Sequence, residues 1–274
     1  MSRERLYRTE GIVIRRRNQG EADRVLTLCT PMGKIQLIAK GVRKTRSRKA
    51  GHVELFSHSS FVVSRVKNSW DIVSQAETVE PHAALREDLL RGACARYVVE
   101  LLDRFFTEGE GGPALFDLLN HALTWLGEDD DPDLAIRFYE QHLLALAGFR
   151  PELFVCVGEH ANAVPLRPGG PDSPADAHRR PYGFDPEHGG ALCPDCYAER
   201  HAFPAVMALS PNGLWFLQEC QRGPYSRLRS NSFSSPFPAS LHEEVGRAMH
   251  RYITYHLEQE VKADAFLRQL RATR

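Results

Sequence analysis

The first 80 residues repeat with a period of two. Tyr7 to Arg16 carries the apolar run Gly11-Ile12-Val13-Ile14, and from Arg24 to Thr30 the residues Val25, Thr27 and Cys29 alternate with Leu26 and Leu28. Ile35, Leu37 and Ala39 alternate through the segment Ile35 to Lys40. Leu55 to Val66 and Trp70 to Val79 read as two more strands, and the short link Lys67-Asn68-Ser69 makes them a hairpin. Thr30-Pro31-Met32-Gly33 is turn chemistry, because Pro presets φ and Gly accepts a left-handed backbone. Five short strands cannot bury themselves as an open sheet, and closing them into a barrel removes the edges. The OB-fold is the usual five-stranded solution, with an SH3-like barrel as the alternative.

From His82 the period lengthens to that of a helix. Leu85, Leu89, Ala93, Tyr97, Leu101 and Phe105 form one stripe, with Leu90, Cys94, Val98, Leu102 and Phe106 beside it. This predicts one helix of about 25 residues with a wide apolar face. Glu108 to Gly112 breaks it, and a second helix begins at Pro113 with Leu115, Leu118, Leu119, Ala122 and Leu123. A third has Asp131 as N-cap, Pro132 at the first helical position and Gly148 to end it. Residues 160–190 are rich in Pro, Gly, Asp and His and read as an irregular insertion. Further helices begin at Ser210-Pro211 and at Ser240, where Glu243 completes a capping box ahead of Leu241, Val245, Met249, Tyr252, Ile253 and Leu257. The Ser- and Pro-rich stretch Arg222 to Ala239 reads as an exposed linker. The expected architecture is α+β: a five-stranded OB-fold barrel over residues 1–80, then an all-helical bundle over 81–274 with a zinc-knuckle-like insertion at 154–200.

Charge changes this picture. Net charge is zero, yet residues 1–80 carry 16 Lys/Arg against 8 Asp/Glu, and the remainder carries 19 against 27. Such an asymmetry marks a polyanion-binding module on an acidic partner domain. The gap after the third strand holds Lys40, Arg43, Lys44, Arg46, Arg48 and Lys49, six cations in ten residues. Like charges and bracketing glycines disfavour a helix there, so a mobile phosphate-binding loop is expected. Arg15, Arg16, Arg17 and Arg24 add charge at the first hairpin, although three consecutive arginines cannot all face one way in a strand. Phe56, Phe61 and Trp70 either stack on bases or fill the barrel.

The six cysteines are Cys29, Cys94, Cys156, Cys193, Cys196 and Cys220, and their scatter is no disulfide framework. With a polar N-terminus and no apolar run near the roughly 18 residues of a membrane span, a reduced cytoplasmic protein is expected. Cys193-Pro194-Asp195-Cys196 is half of a zinc knuckle, and its partner is Cys156-Val157-Gly158-Glu159-His160. Zinc takes four ligands, so His160 or Glu159 would join the three cysteines, with His178, His188 and His201 less local. The expected zinc role is structural, because no general base accompanies the cluster. Catalytic motifs are lacking. There is no phosphate loop, and His242-Glu243-Glu244 is not a His-Glu-x-x-His motif. The residues thus favour a phosphate-binding protein over an enzyme, and leave an RNA-binding barrel and a nuclease acting through the knuckle as alternatives.

The chain resembles the RecO family of bacterial DNA-repair proteins. The resemblance is carried by Gly11-Ile12-Val13-Ile14-Arg15, Gly20-Glu21-Ala22-Asp23-Arg24, Gly33-Lys34-Ile35, Ala39 to Lys44, Leu101 to Phe105, Gly148 to Leu153 and Leu192 to Cys196. It implies an OB-fold followed by a helical, often zinc-bearing domain. It also implies binding of single- and double-stranded DNA, annealing of complementary strands, and joint action with RecR in loading RecA onto DNA coated with single-strand-binding protein. Arg15, Arg24, Lys34, Lys40, Arg43 and Lys44 match basic positions of the family barrel. The family's contact with the tail of single-strand-binding protein would fall here on Arg247 and Arg251, beside Val245 and Tyr252. The chain departs from the pattern at Cys156, where the usual second cysteine is missing.

Overall fold

A computed structural model describes residues 6–168, 180–230 and 237–272. Residues 169–179 of the expected insertion, including His178, and 231–236 of the expected linker lie outside the described residues.

The strands β1 (Leu6–Gln19), β2 (Asp23–Thr30), β3 (Gly33–Ala39), β4 (His58–Ser64) and β5 (Asp71–Glu80) close into a barrel in the order β1-β2-β3-β5-β4, with β4 returning to β1. This is the OB-fold. Val13, Leu26, Leu28, Leu37, Phe61, Val63 and Val73 fill its interior. β2 departs from simple alternation. Every residue from Val25 to Thr30 is buried, because the barrel takes one face and the helix α3 (Pro113–Glu128) packs on the strand from outside.

A bulge after Val13 settles the three arginines. It pairs Val13 with Leu28, Arg15 with Thr27, Arg16 with Leu26 and Arg17 with Val25. Leu26 and Leu28 belong to the interior, so the two-residue period turns Arg16 to the inner side, where it pairs with Glu54, and Arg15 and Arg17 outward.

The basic gap is fixed in place instead of mobile. Val42 and the Val53 of a 3-10 turn (Ala50–Val53) join the barrel core. The Gly41 amide donates to Asp23 Oδ1 at 2.7 Å, and the Arg43 amide to the Ala22 carbonyl at 2.9 Å. Two buried valines supply the anchor that the charge pattern alone conceals.

The single helix expected from His82 is two. α1 (Ala84–Glu87) ends at Asp88, whose extended backbone and side chain, accepting from the Arg91 amide at 2.8 Å, restart the chain as α2 (Leu89–Phe105). Leu89, expected on the apolar stripe, is consequently exposed. Compactness divides the chain into Met1–Asp129 with Val261–Arg274, and Asp130–Glu260. The helices after the barrel therefore belong with it, as does α9 (Lys262–Ala272), which packs on α2. The Glu100 carboxylate caps α9, accepting from the Lys262 and Ala263 amides at 3.1 and 2.8 Å.

The second unit is built on α4 (Pro132–Leu146), α6 (Pro211–Arg222) and α8 (Ala239–Leu257). Asp131 and Ser210 cap α4 and α6 as expected. α8 does not use the Ser240 capping box. It starts earlier, with Pro238 at the N-cap and no side-chain bond, while Glu244 holds the Ser210 hydroxyl at 2.9 Å. The unit is also not all helical. β6 (Tyr182–Asp185), β7 (Gly190–Leu192) and β8 (Met207–Leu209) form a small antiparallel sheet in the order β7-β6-β8, with α5 (Pro194–Arg200) against it, and α7 (Tyr225–Arg229) follows α6. Strands of three or four residues are too short to show a period of two, and glycines interrupt them. Among the described residues no helix is long and apolar enough to cross a membrane.

Candidate nucleic-acid interface and metal centre

The eleven basic residues singled out in the barrel take up different roles. Lys40, Arg43, Lys44, Arg46 and Arg48 are exposed on the fixed loop. Arg43 also reaches the Gly20 carbonyl at 3.1 Å, tying the loop to the first hairpin. Arg15 and Arg17 are exposed on the outer face of β1. Arg15 touches Asp103 at 3.3 Å and remains 58% exposed. Arg16 and Arg24 share Glu54. Lys49 turns inward and donates to the Val73 carbonyl at 2.9 Å, and burial pushes its pKa down.

Lys34 is buried. Its ammonium donates to Asp103 Oδ1 at 2.8 Å, to the Asp103 carbonyl at 2.7 Å and to the Phe106 carbonyl. All three protons are used at the C-terminal end of α2, where a cation meets the helix dipole, and none is left for a phosphate. The sequence offers no sign of this, since Asp103 lies 69 residues away.

Of the three aromatics, Phe56 and Phe61 are buried. Trp70 is half-buried ahead of β5, and the Arg17 guanidinium lies 5.8 Å from its ring centroid. A second such pair, Arg65 over Tyr7 at 5.1 Å, stands at the same hairpin, and the pattern of alternation gave no notice of it.

In the second unit Cys156, His160, Cys193 and Cys196 converge, with their ligand atoms all within 4.8 Å of one another. His160 Nε2 lies 3.2 Å from Cys156 Sγ, 3.2 Å from Cys196 Sγ and 3.6 Å from Cys193 Sγ. Tetrahedral zinc, with bonds of about 2.3 Å to sulfur and 2.0–2.1 Å to nitrogen, needs sulfur and nitrogen about 3.5 Å apart. The group can hold a metal ion of that kind. His160, and not Glu159, supplies the fourth atom. His188 is instead engaged with Asp185 at 3.0 Å, and His201 with the Ala198 carbonyl at 2.8 Å.

Backbone pairing brings the two halves together. Ala191 donates to the Glu152 carbonyl at 2.8 Å, and Val157 donates to the Ala191 carbonyl at 3.0 Å. The Cys193 and Gly158 amides donate to Cys156 Sγ at 3.1 and 3.4 Å, which suits a thiolate ligand. Without a cation, burial and then the neighbouring thiols push Cys196 up to about 12, a cost that a bound dication would remove. Gly158 is a residue that motif reading passed over. A Cβ there would sit 2.5 Å from Cys196 Sγ.

Arg247 and Arg251 are exposed one turn apart on α8, but Val245 and Tyr252, expected beside them, are buried in the core, and the exposed apolar neighbour is Tyr255 on the following turn. A second acidic group, Asp185 with Glu187 and His188, is accounted for by its own pairing, in which Asp185 also meets Arg200 at 3.2 Å.

Two family models match the chain in tandem, Recombination protein O N terminal over residues 1–82 and Recombination protein O C terminal over residues 86–265. Similar curated proteins are named DNA repair protein RecO. That of Roseiflexus sp. (strain RS-1) is 36% identical over 98% of this chain and 87% of the relative. That of Symbiobacterium thermophilum is 36% identical over 98% of this chain and 99% of the relative, and that of Desulforudis audaxviator 35% over 96% and 97%. With both models matched in order along nearly the whole chain and relatives above 30% identical over almost all of it, the chain belongs to the RecO family.

Proposed function

We propose that this protein serves DNA repair and recombination without catalysing a reaction. It binds single- and double-stranded DNA with little sequence preference, anneals complementary strands, and with RecR helps load RecA onto DNA coated with single-strand-binding protein. The observation that carries this reading is the loop Lys40 to Arg48. Its backbone is anchored by Val42 and by bonds to the first hairpin, while its cations stand in water. Fixed cations neutralise phosphates without reading bases, which favours affinity over sequence choice. The contact set is Arg15, Arg17, Lys40, Arg43, Lys44, Arg46 and Arg48, with Arg16 and Arg24 contributing through the charge they share with Glu54. Lys34 and Lys49 are left out, because their ammonium groups are engaged within the protein.

The division of labour follows the charge. Residues 1–80 act as the DNA-binding domain, and residues 81–274 serve partners. Zinc on Cys156, His160, Cys193 and Cys196 holds the insertion in shape. Arg247 and Arg251, with Tyr255 beside them, receive the acidic and apolar tail of single-strand-binding protein. The setting is the cytoplasm, at the nucleoid. The test is annealing of complementary strands coated with single-strand-binding protein. Acceleration over spontaneous annealing supports the reading, and its absence removes it. Equal or better activity on RNA would point to an RNA-binding barrel instead.

A further inference from the structure

We infer that Trp70, held beneath Arg17, is a base-stacking platform that makes the barrel favour unpaired strands. This rests on the DNA-binding reading above and adds a residue that discriminates strand type. Position comes first. The ladder pairs Arg17 with Val25, Val25 with Ile38 and Ile38 with Ile72, so these four form one row across β1, β2, β3 and β5. Leu26, Leu37 and Val73, one residue along from three of them, lie in the barrel core. The row therefore faces outward, and Trp70 lies directly ahead of its β5 member, one residue before that strand begins.

Environment comes second. Trp70 is absent from the buried core and half-buried, while Phe56 and Phe61 are fully buried. A half-buried indole outside the core cluster adds little to the barrel interior. Its partner is a cation, Arg17, 5.8 Å from the ring. An arginine over an aromatic face offers a flat ring for a base beside a charge for that base's phosphate. Arg65 and Lys67 are exposed on the adjoining turn, so the platform is flanked by positive charge, as a polyanion requires. A duplex keeps its bases stacked on one another and has no free face to offer, so only an unpaired strand gains from the ring.

The test compares three fluorescent probes of equal length: oligo-dT, the same chain with abasic sites, and a duplex. Trp70→Ala is expected to lose about tenfold in affinity for oligo-dT, to change little on the abasic chain and the duplex, and to keep the wild-type salt dependence. Trp70→Phe retains most of the binding, and Trp70→Leu, which keeps apolar bulk without a π-face, behaves like Trp70→Ala. An unchanged oligo-dT affinity, or an equal loss on all three probes, overturns the platform. The loop variant Arg43→Ala, Lys44→Ala, Arg46→Ala, Arg48→Ala is run alongside. If it weakens none of the probes, the barrel reading itself fails, whatever Trp70 does.

Discussion

In the loop after β3 the backbone is fixed and the charged ends stand in water. In the knuckle the three cysteine ligands are buried, His160 joins them from an exposed position, and two backbone amides point at the Cys156 sulfur. The difference follows from what each would hold. A phosphate chain arrives hydrated and is retained by many weak, exchangeable contacts, so exposed guanidinium and ammonium groups suit it. A dication is retained by four short bonds, so the fold has to bring four ligand atoms within bonding distance of one point. Lys34 makes the same contrast within the barrel. It carries the same charge as Lys40, yet Asp103 and two carbonyls turn it into part of the scaffold.

The largest effect is expected at the knuckle. Cys193→Ser should abolish metal binding and lower the melting temperature of the second unit by roughly 10 °C or more. Elemental analysis together with calorimetry checks this, and a metal-free protein of wild-type stability would remove the centre. Gly158→Ala should weaken the metal about tenfold or more, because its Cβ meets the Cys196 sulfur. Competition with a chromophoric chelator reads that change.

Lys34→Met comes next. It leaves Asp103 largely buried beside Arg15 alone, and the loss should be about 3 kcal/mol in urea unfolding. Lys40→Met at an exposed position should leave stability within about 0.5 kcal/mol. If the two variants unfold alike, the separation of scaffold cation from surface cation is wrong.

The smallest effect concerns acid. Burial raises the pKa of Asp131, but His242 and the Leu134 and Asp133 amides outweigh it, so the folded value is depressed. The group therefore adds stability above the unfolded carboxyl value near pH 4 and loses it as pH falls through the folded value. Asp131→Asn, which still caps α4, should flatten the acid limb of a stability-against-pH curve.

The barrel was legible because its strands are long enough to alternate and its turns carry Pro and Gly. The caps at Asp131 and Ser210 were legible because they act over three residues. The ligands Cys156, Cys193 and Cys196 stood out by residue type, and choosing His160 over Glu159 needed geometry. What escaped were contacts distant in sequence. Asp103 claims Lys34, Glu54 gathers Arg16 and Arg24, and Val42 pins a loop whose charges announced mobility. The same charges that predicted an interface hid the two residues of the set that the fold had already used.

The account stands most directly on the salt dependence of DNA binding. For wild type and for the variant Arg43→Ala, Lys44→Ala, Arg46→Ala, Arg48→Ala, the logarithm of the single-strand affinity is plotted against the logarithm of salt concentration. Four lost phosphate contacts should reduce the slope by up to about 3. Two parallel lines would contradict the claim that this loop is where the barrel holds DNA.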